Sequence, residues 1–329
     1  MNKQIDFVMK EMTVLRYYIP LIDEAVKRGY KCDIFIGKSN KYNCPSRFMD
    51  AVKELSNWHN FGLHELSKIK KRENITFFVE STGLEEQFIN DKQKKFVVTY
   101  SGDFTDQHKL YENKVDYILM ISEFFAKYYD VMSEKNLFFG SPKFDVVLNK
   151  NEILQKYNLK QNTKKALVVY PRHRDLSRIN LEEIYSVLKK NDFELLVKTR
   201  GKDPIYNKQH KGDFYFEDDS WHPHTTMELM KVSDVVINFG SGAIKECVML
   251  DTPVIDFHIK PFRRVFAPLF EYDYSAKFDA NYDISDFEKA LLFLTTKNLE
   301  DDFEAARKIY LYDKNYNSSK NIIDFIETF

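Results

Sequence analysis

Twice along this chain, short runs of β-branched and aromatic residues alternate with stretches of helical periodicity. That alternation leaves few folds other than parallel sheets with crossover helices. In the first series Ile5 to Met9 reads as a strand, Val14 to Arg28 as an amphipathic helix stopped at Gly29, and Cys32 to Ile36 as the next strand. Ile75 to Val79, Phe96 to Thr99, Tyr117 to Ile121 and Leu137 to Phe139 supply further strands, with helical stretches over Ser46 to Leu55 and Glu123 to Met132. A second series starts near Lys164. Its strands are Ala166 to Tyr170, Phe193 to Lys198, Asp213 to Phe216, Val235 to Asn238 and Val254 to Phe257, and its helices Leu181 to Lys190, Thr225 to Val232 and Ile244 to Leu250. The expected organisation is α/β, with two tandem Rossmann-like doubly wound domains over residues 1–148 and 164–310. The polar stretch 149–163 reads as a linker, helical in part. Such sheets bind ligands at the carboxyl ends of their strands, so a cleft between the two domains is the expected site.

Composition narrows the function classes. With 329 residues, 43% of them hydrophobic, the chain can bury two cores. Its 49 basic and 50 acidic side chains nearly cancel, which gives no electrostatic footprint for nucleic acid. Cys32, Cys44 and Cys247 match no zinc or disulfide spacing. Asp6, Lys10 and Glu11 interrupt any apolar leader, and no stretch approaches 18 uninterrupted apolar residues. A cytoplasmic protein is therefore expected. The lysine runs 68–73 and 92–95 are either solvated charge or a peripheral contact with an anionic membrane surface.

The densest information lies in Ser233 to Phe257, SDVVINFGSGAIKECVMLDTPVIDF. Strand, glycine turn, helix and strand follow in order, and a helix start preceded by small residues suits an anion. Upstream, PRHRD and KTRGKDP follow two strands and offer Arg172, Arg174, Lys198 and Arg200 as phosphate partners. The segment DDSWHPHTTMELM sets Trp221 to stack on a base and His222 or His224 to bond phosphate or acceptor, or else forms a turn fixed by Pro223. Thr225 and Glu228 read as a capping box there. His-Pro-His lacks a third ligand cluster in the sequence, so no metal site is expected.

Four segments carry a family resemblance: KNLFFGSPKFDVV (135–147), VDYILMISEFFAKYY (115–129), the 233–257 stretch, and YDKNYNSSKNIIDFIETF (312–329). In that order they resemble GT-B glycosyltransferases. The similar branch includes CDP-glycerol glycerophosphotransferases, bacterial surface-polysaccharide transferases and non-hydrolysing UDP-N-acetylglucosamine 2-epimerases. The resemblance implies two Rossmann-like domains facing a cleft, with a terminal helix over 311–329 crossing back to the N-terminal domain. It implies transfer from a nucleotide-sugar donor of UDP or CDP type to a glycan or lipid-linked acceptor, with no further cofactor or metal. Ser241 and Gly242 would contact the diphosphate and Glu246 the ribose. The chain departs from the pattern at Lys10-Glu11-Met12-Thr13, where many relatives have a glycine-rich turn. Its FGSGAIKE loop also lacks the Tyr-Ser-Ser element of glycerophosphotransferases.

An inverting transfer needs a general base near the acceptor hydroxyl. Asp103, Glu11, His108 and Glu80 all follow apolar strands of the first half and are the candidates. Sugar-nucleotide 2-epimerisation, polyol-phosphate transfer and non-catalytic nucleotide-sugar binding are the competing readings.

Overall fold

The computed structural model describes residues 3–37, 49–80, 84, 86, 88–99, 108, 111–199, 211–217, 221–258 and 266–329. The chain divides into two units, each built on one parallel sheet. Unit 1 comprises Met1–Val146, Asp219–His222 and Asn315–Phe329, and unit 2 comprises Val147–Asp218 and Pro223–Lys314.

In unit 1 the elements are β1 (Gln4–Met9), α1 (Leu15–Lys27), β2 (Lys31–Ile36), α2 (Met49–His59), β3 (Gly62–Glu65), β4 (Ile75–Val79), β5 (Lys94–Val98), β6 (Tyr117–Leu119), α3 (Glu123–Tyr128) and β7 (Asn136–Leu137). Its sheet runs β3-β2-β1-β4-β5-β6-β7, with β1 fully covered at Ile5, Phe7, Val8 and Met9. Strands buried on both faces read as apolar runs for this reason.

Two acids break that run. Parallel register sets Asp6 beside Asp33, both buried. The Arg72 guanidinium donates to both carboxylates, and Asn74 adds a bond to Asp6. Burial still holds the Asp6 carboxyl above its ordinary range, with Arg72 and Asn74 pulling it down. Arg72, at the end of the basic run 68–73, is thus engaged with two buried carboxylates, which an isolated buried charge requires. Gly62 belongs to the same cluster, because a Cβ there would collide with the Asp33 carboxylate.

Unit 2 contains α4 (Lys150–Lys156), β8 (Lys164–Val169), α5 (Leu181–Lys190), β9 (Phe193–Lys198), β10 (Phe214–Phe216), α6 (Thr225–Val232), β11 (Val235–Asn238), α7 (Ile244–Met249), β12 (Val254–His258), β13 (Ser275–Asp279), α8 (Ile284–Thr296) and α9 (Glu300–Tyr310). Its sheet runs β10-β9-β8-β11-β12-β13. Helix α4 lies in the stretch that reads as a linker, and Lys156 and Tyr157 at its end both bond the Glu228 carboxylate of α6. The expected capping box is therefore absent. His224, which contributes no side-chain cap, precedes the helix, and Glu228 is buried against a cation and a phenol instead of bonding a terminal amide.

Helix α10 (Ser318–Ile326) returns to unit 1. Asp145, from the GSPKFD element, accepts from the Ser318 and Ser319 amides at 3.1 and 2.6 Å, and Arg28 of unit 1 bonds Asp324 and Glu327. Two of the motifs behind the family resemblance are thereby joined by one helix cap. Edge strands β3 and β13, which the sequence pattern does not reveal, are partly exposed and carry polar residues.

Candidate functional site

Strand order locates the functional edge of each sheet. In unit 2 the chain runs outward from β8 through β9 to β10, then returns to place β11 on the other side of β8. The loops after β8 and β11 leave a topological switch point, where open α/β sheets bind ligands. Those loops are the PRHRD and FGSGA segments.

The loop after β11 is held from below. Register pairs Asn238 with Asp256 across β11 and β12, and both are fully buried. Asn238 Nδ2 donates to Asp256 Oδ1 at 2.7 Å and to the Ser241 carbonyl at 3.1 Å, while the Gly240 amide donates to Asp256 Oδ1 at 3.0 Å. Gly240 takes φ +60, the left-handed conformation that favours glycine. Ser241 and Gly242 are half-buried, and Ala243 precedes α7 without a side-chain cap. Glu246 sits in the first turn of α7 at 7% exposure, so it is no solvated helix glutamate. Burial pushes the neighbouring Cys247 thiol up, and the Glu246 and Asp256 carboxylates push the same way. Lys245 is also buried, its ammonium 4.4 Å from the centre of the Phe266 ring.

Of the basic candidates, Arg172 and Arg174 are exposed just past β8. Lys198 ends β9 at 2% exposure and donates to the Thr199 carbonyl at 2.7 Å. Arg200 lies outside the described residues. Asn238 and Asp256 are the residues that sequence reasoning missed, since only the strand register brings them together.

Unit 1 repeats the logic. Its order places the switch between β1 and β4, and the residues following those strands are Lys10-Glu11 and Glu80. Glu11 is half-buried and accepts from the Thr13 hydroxyl at 3.2 Å. Glu80 is 3% exposed and left-handed, at φ +48. Asn60, Asp130, Asn158, Asp192 and Asp251 share that conformation, but each lies one or two residues past a helix, where short polar residues tolerate it. Glu80 at its strand end has no helix terminus behind it, and among the described residues neither do Lys211, Trp221 and Phe266, which share the conformation. Strain of this kind concentrates at functional sites.

His108 is buried beside Tyr111, with ring centres 5.6 Å apart, and Glu112 stands 3.6 Å away. Desolvation lowers the His108 pKa, partly offset by Glu112, so the ring is neutral near pH 7. Burial raises the Tyr111 hydroxyl, and Glu80 and Glu112 add to the effect. Sequence reasoning overlooked Tyr111, whose buried hydroxyl makes no hydrogen bond among the described residues. Asp103 lies outside the described residues.

The segment preceding α6 behaves differently. Trp221 is 7% exposed and belongs to the core cluster of unit 1, with residues of α1, α2 and α10, which argues against a base-stacking role. His222 groups with unit 1 as well, its ring edge-on to His59 at 5.4 Å. The remaining described donor candidates belong to unit 2. A cavity of about 610 Å³ opens at the opposite edge of the unit 1 sheet, among Lys3, Gln4, Asn74, Ile75 and Lys94 at the amino ends of its strands.

No protein-family model matches the chain, and no curated protein does. Solved structures match over its full length. The wall teichoic acid polymerase TagF aligns with TM-score 0.67 at 13% identity, covering 100% of this chain and 89% of that one. A glycotransferase of kitacinnamycin gives TM-score 0.65 at 11% identity over 99% and 98%. The UDP-GlcNAc 2-epimerase of Methanocaldococcus jannaschii, solved with UDP-GlcNAc and UDP, gives 0.63 at 12% over 99% and 100%. At such identities the likeness is one of fold, and the fold is the GT-B architecture that the sequence motifs resemble.

Proposed function

We propose that this protein is a nucleotide-sugar-dependent glycosyltransferase that moves a sugar from a UDP- or CDP-type donor to a glycan or lipid-linked acceptor. The observation that carries the reading is the pairing of chemistry with topology. In unit 2 the switch-point loops bear Arg172, Arg174 and the buttressed Gly240–Ala243 turn; in unit 1 they bear Glu11 and the strained Glu80. Cationic and amide donors suit a leaving diphosphate, whose developing charge must be neutralised. A carboxylate suits deprotonation of an acceptor hydroxyl.

In this reading Ser241 and Gly242 meet the diphosphate, Arg172 and Arg174 neutralise it, and Glu246 bonds the ribose. Lys198 and Arg200 are the further cationic candidates. His222, placed among unit 1 side chains, is left out of the donor set. Glu80 is the general base, and Glu11, Asp103 and His108 are comparators.

The test has two stages. UDP, CDP and their sugars are screened by thermal shift, since a ligand of the native state raises Tm by mass action. Arg172→Ala and Ser241→Ala are expected to abolish the shift. No shift from any nucleotide at millimolar concentration refutes the donor site. Product analysis follows: transfer needs acceptor and releases nucleotide, whereas epimerisation converts the nucleotide sugar alone. Glu80→Gln is expected to retain nucleotide binding and lower turnover by about 10²–10⁴-fold, the usual contribution of a general base. Unchanged turnover in that variant moves the base to Glu11 or Asp103.

A further inference from the structure

We infer that unit 1 contains a zinc-binding site formed by Asp23, His59 and His222. Asp23 lies in α1, His59 is the last residue of α2, and His222 follows the buried Trp221. One donor atom from each lies within 4.8 Å of the others. Two imidazoles and one carboxylate form a set that zinc accepts, with a fourth position left for water.

The geometry is close to coordination distance. Zinc bonds of 2.0–2.1 Å in a tetrahedron put donor atoms about 3.3 Å apart. His59 Nδ1 and Asp23 Oδ1 stand at 2.7 Å, a hydrogen bond that has to open by about half an ångström. The donor atoms lie within 4.8 Å of one another, so His222 has to close by up to about 1.5 Å, which is within the range of side-chain rotation. Its ring supplies a second reason to expect a ligand. His222 Nδ1 is sealed from solvent and has no hydrogen-bond partner among the described residues. A buried polar atom left in that state costs stability, and a metal or an ordered water is the usual remedy.

The three ligands come from positions separated by 36 and 163 residues, so the ion would cross-link helices α1 and α2 to the 221–222 segment. That segment belongs to unit 1 although the chain on both sides of it belongs to unit 2. In this proposal the zinc holds that segment on unit 1, and no residue of the switch-point loops is one of its ligands.

The chain has its own reporter. Its two tryptophans, Trp58 and Trp221, immediately precede His59 and His222. Full-length protein is stripped with a chelator and titrated with cobalt(II), a paramagnetic quencher that takes zinc sites, and then with zinc by calorimetry. The expected result is saturable tryptophan quenching, reversed by zinc, with one zinc bound per chain. His59→Gln and His222→Gln, checked for folding by circular dichroism, are expected to weaken binding by at least about 100-fold, since loss of even an outer partner costs 10–100-fold. His64→Gln is expected to leave binding unchanged. An absence of saturable binding, or equal affinity in wild type and both ligand variants, overturns the site. Nucleotide thermal shifts are read separately, so this result and the donor-site result stand or fall independently.

Discussion

Asn238→Ala tests the loop buttress most directly. The substitution removes two hydrogen bonds at a fully buried position, one to the Asp256 carboxylate at 2.7 Å and one to the Ser241 carbonyl at 3.1 Å. A bond to a charged group contributes about 1.5–3 kcal/mol and a neutral one about 0.5–1.5 kcal/mol. Their sum is about 2–4.5 kcal/mol, and Asp256 keeps the Gly240 amide but loses its Asn238 donor. With a urea m-value of about 2 kcal/mol/M, the midpoint should fall by about 1–2 M. Both tryptophans lie in unit 1, so the transition is followed by far-UV circular dichroism, which sums both units and so includes the unit 2 transition. The same variant should weaken the nucleotide thermal shift, because the Gly240–Gly242 backbone loses its fixed geometry. A midpoint change below about 0.3 M, equivalent to about 0.6 kcal/mol, refutes the claim that this pair holds the loop.

Two further outcomes follow from unit 1. The folded-state pKa of His108 is depressed below 6.5, so its stabilising contribution is complete above pH 6.5 and is lost as pH falls through the lower folded value. Urea midpoints measured from pH 8 to 5 should therefore fall more steeply with acidification in wild type than in His108→Gln. An unaltered slope rules out a neutral buried His108. Trp221→Ala should cost about 3–5 kcal/mol, as for a large aromatic core side chain, and leave nucleotide affinity in the refolded protein near wild type. A stable variant that has lost nucleotide binding restores the base-stacking role.

Much of the architecture was determined locally and could be read in the sequence. Val235–Val236–Ile237 and Ile5 to Met9 are apolar because strands at the centre of a parallel sheet are buried on both faces, and burial leaves a one-dimensional trace. The same holds for Gly240, where backbone conformation alone favours the residue. Edge strands β3 and β13 left no such trace, since one side of each meets solvent and polar residues are tolerated there.

The site was legible only in part. Arg172, Ser241, Glu11 and Glu80 stood out because they follow strands, yet nothing in the chain order says which strand ends are neighbours. Strand order supplied that, setting β8 beside β11 and β1 beside β4. Asn238 with Asp256, Glu228 with Lys156 and Tyr157, and Asp23 with His59 and His222 were invisible for the same reason: each joins residues 18 to 199 positions apart. Sequence by itself determined the elements and their hydrophobic faces, because propensity and periodicity act over a few residues. Tertiary structure decided which polar side chains meet, because register and strand order depend on the packing of the whole sheet.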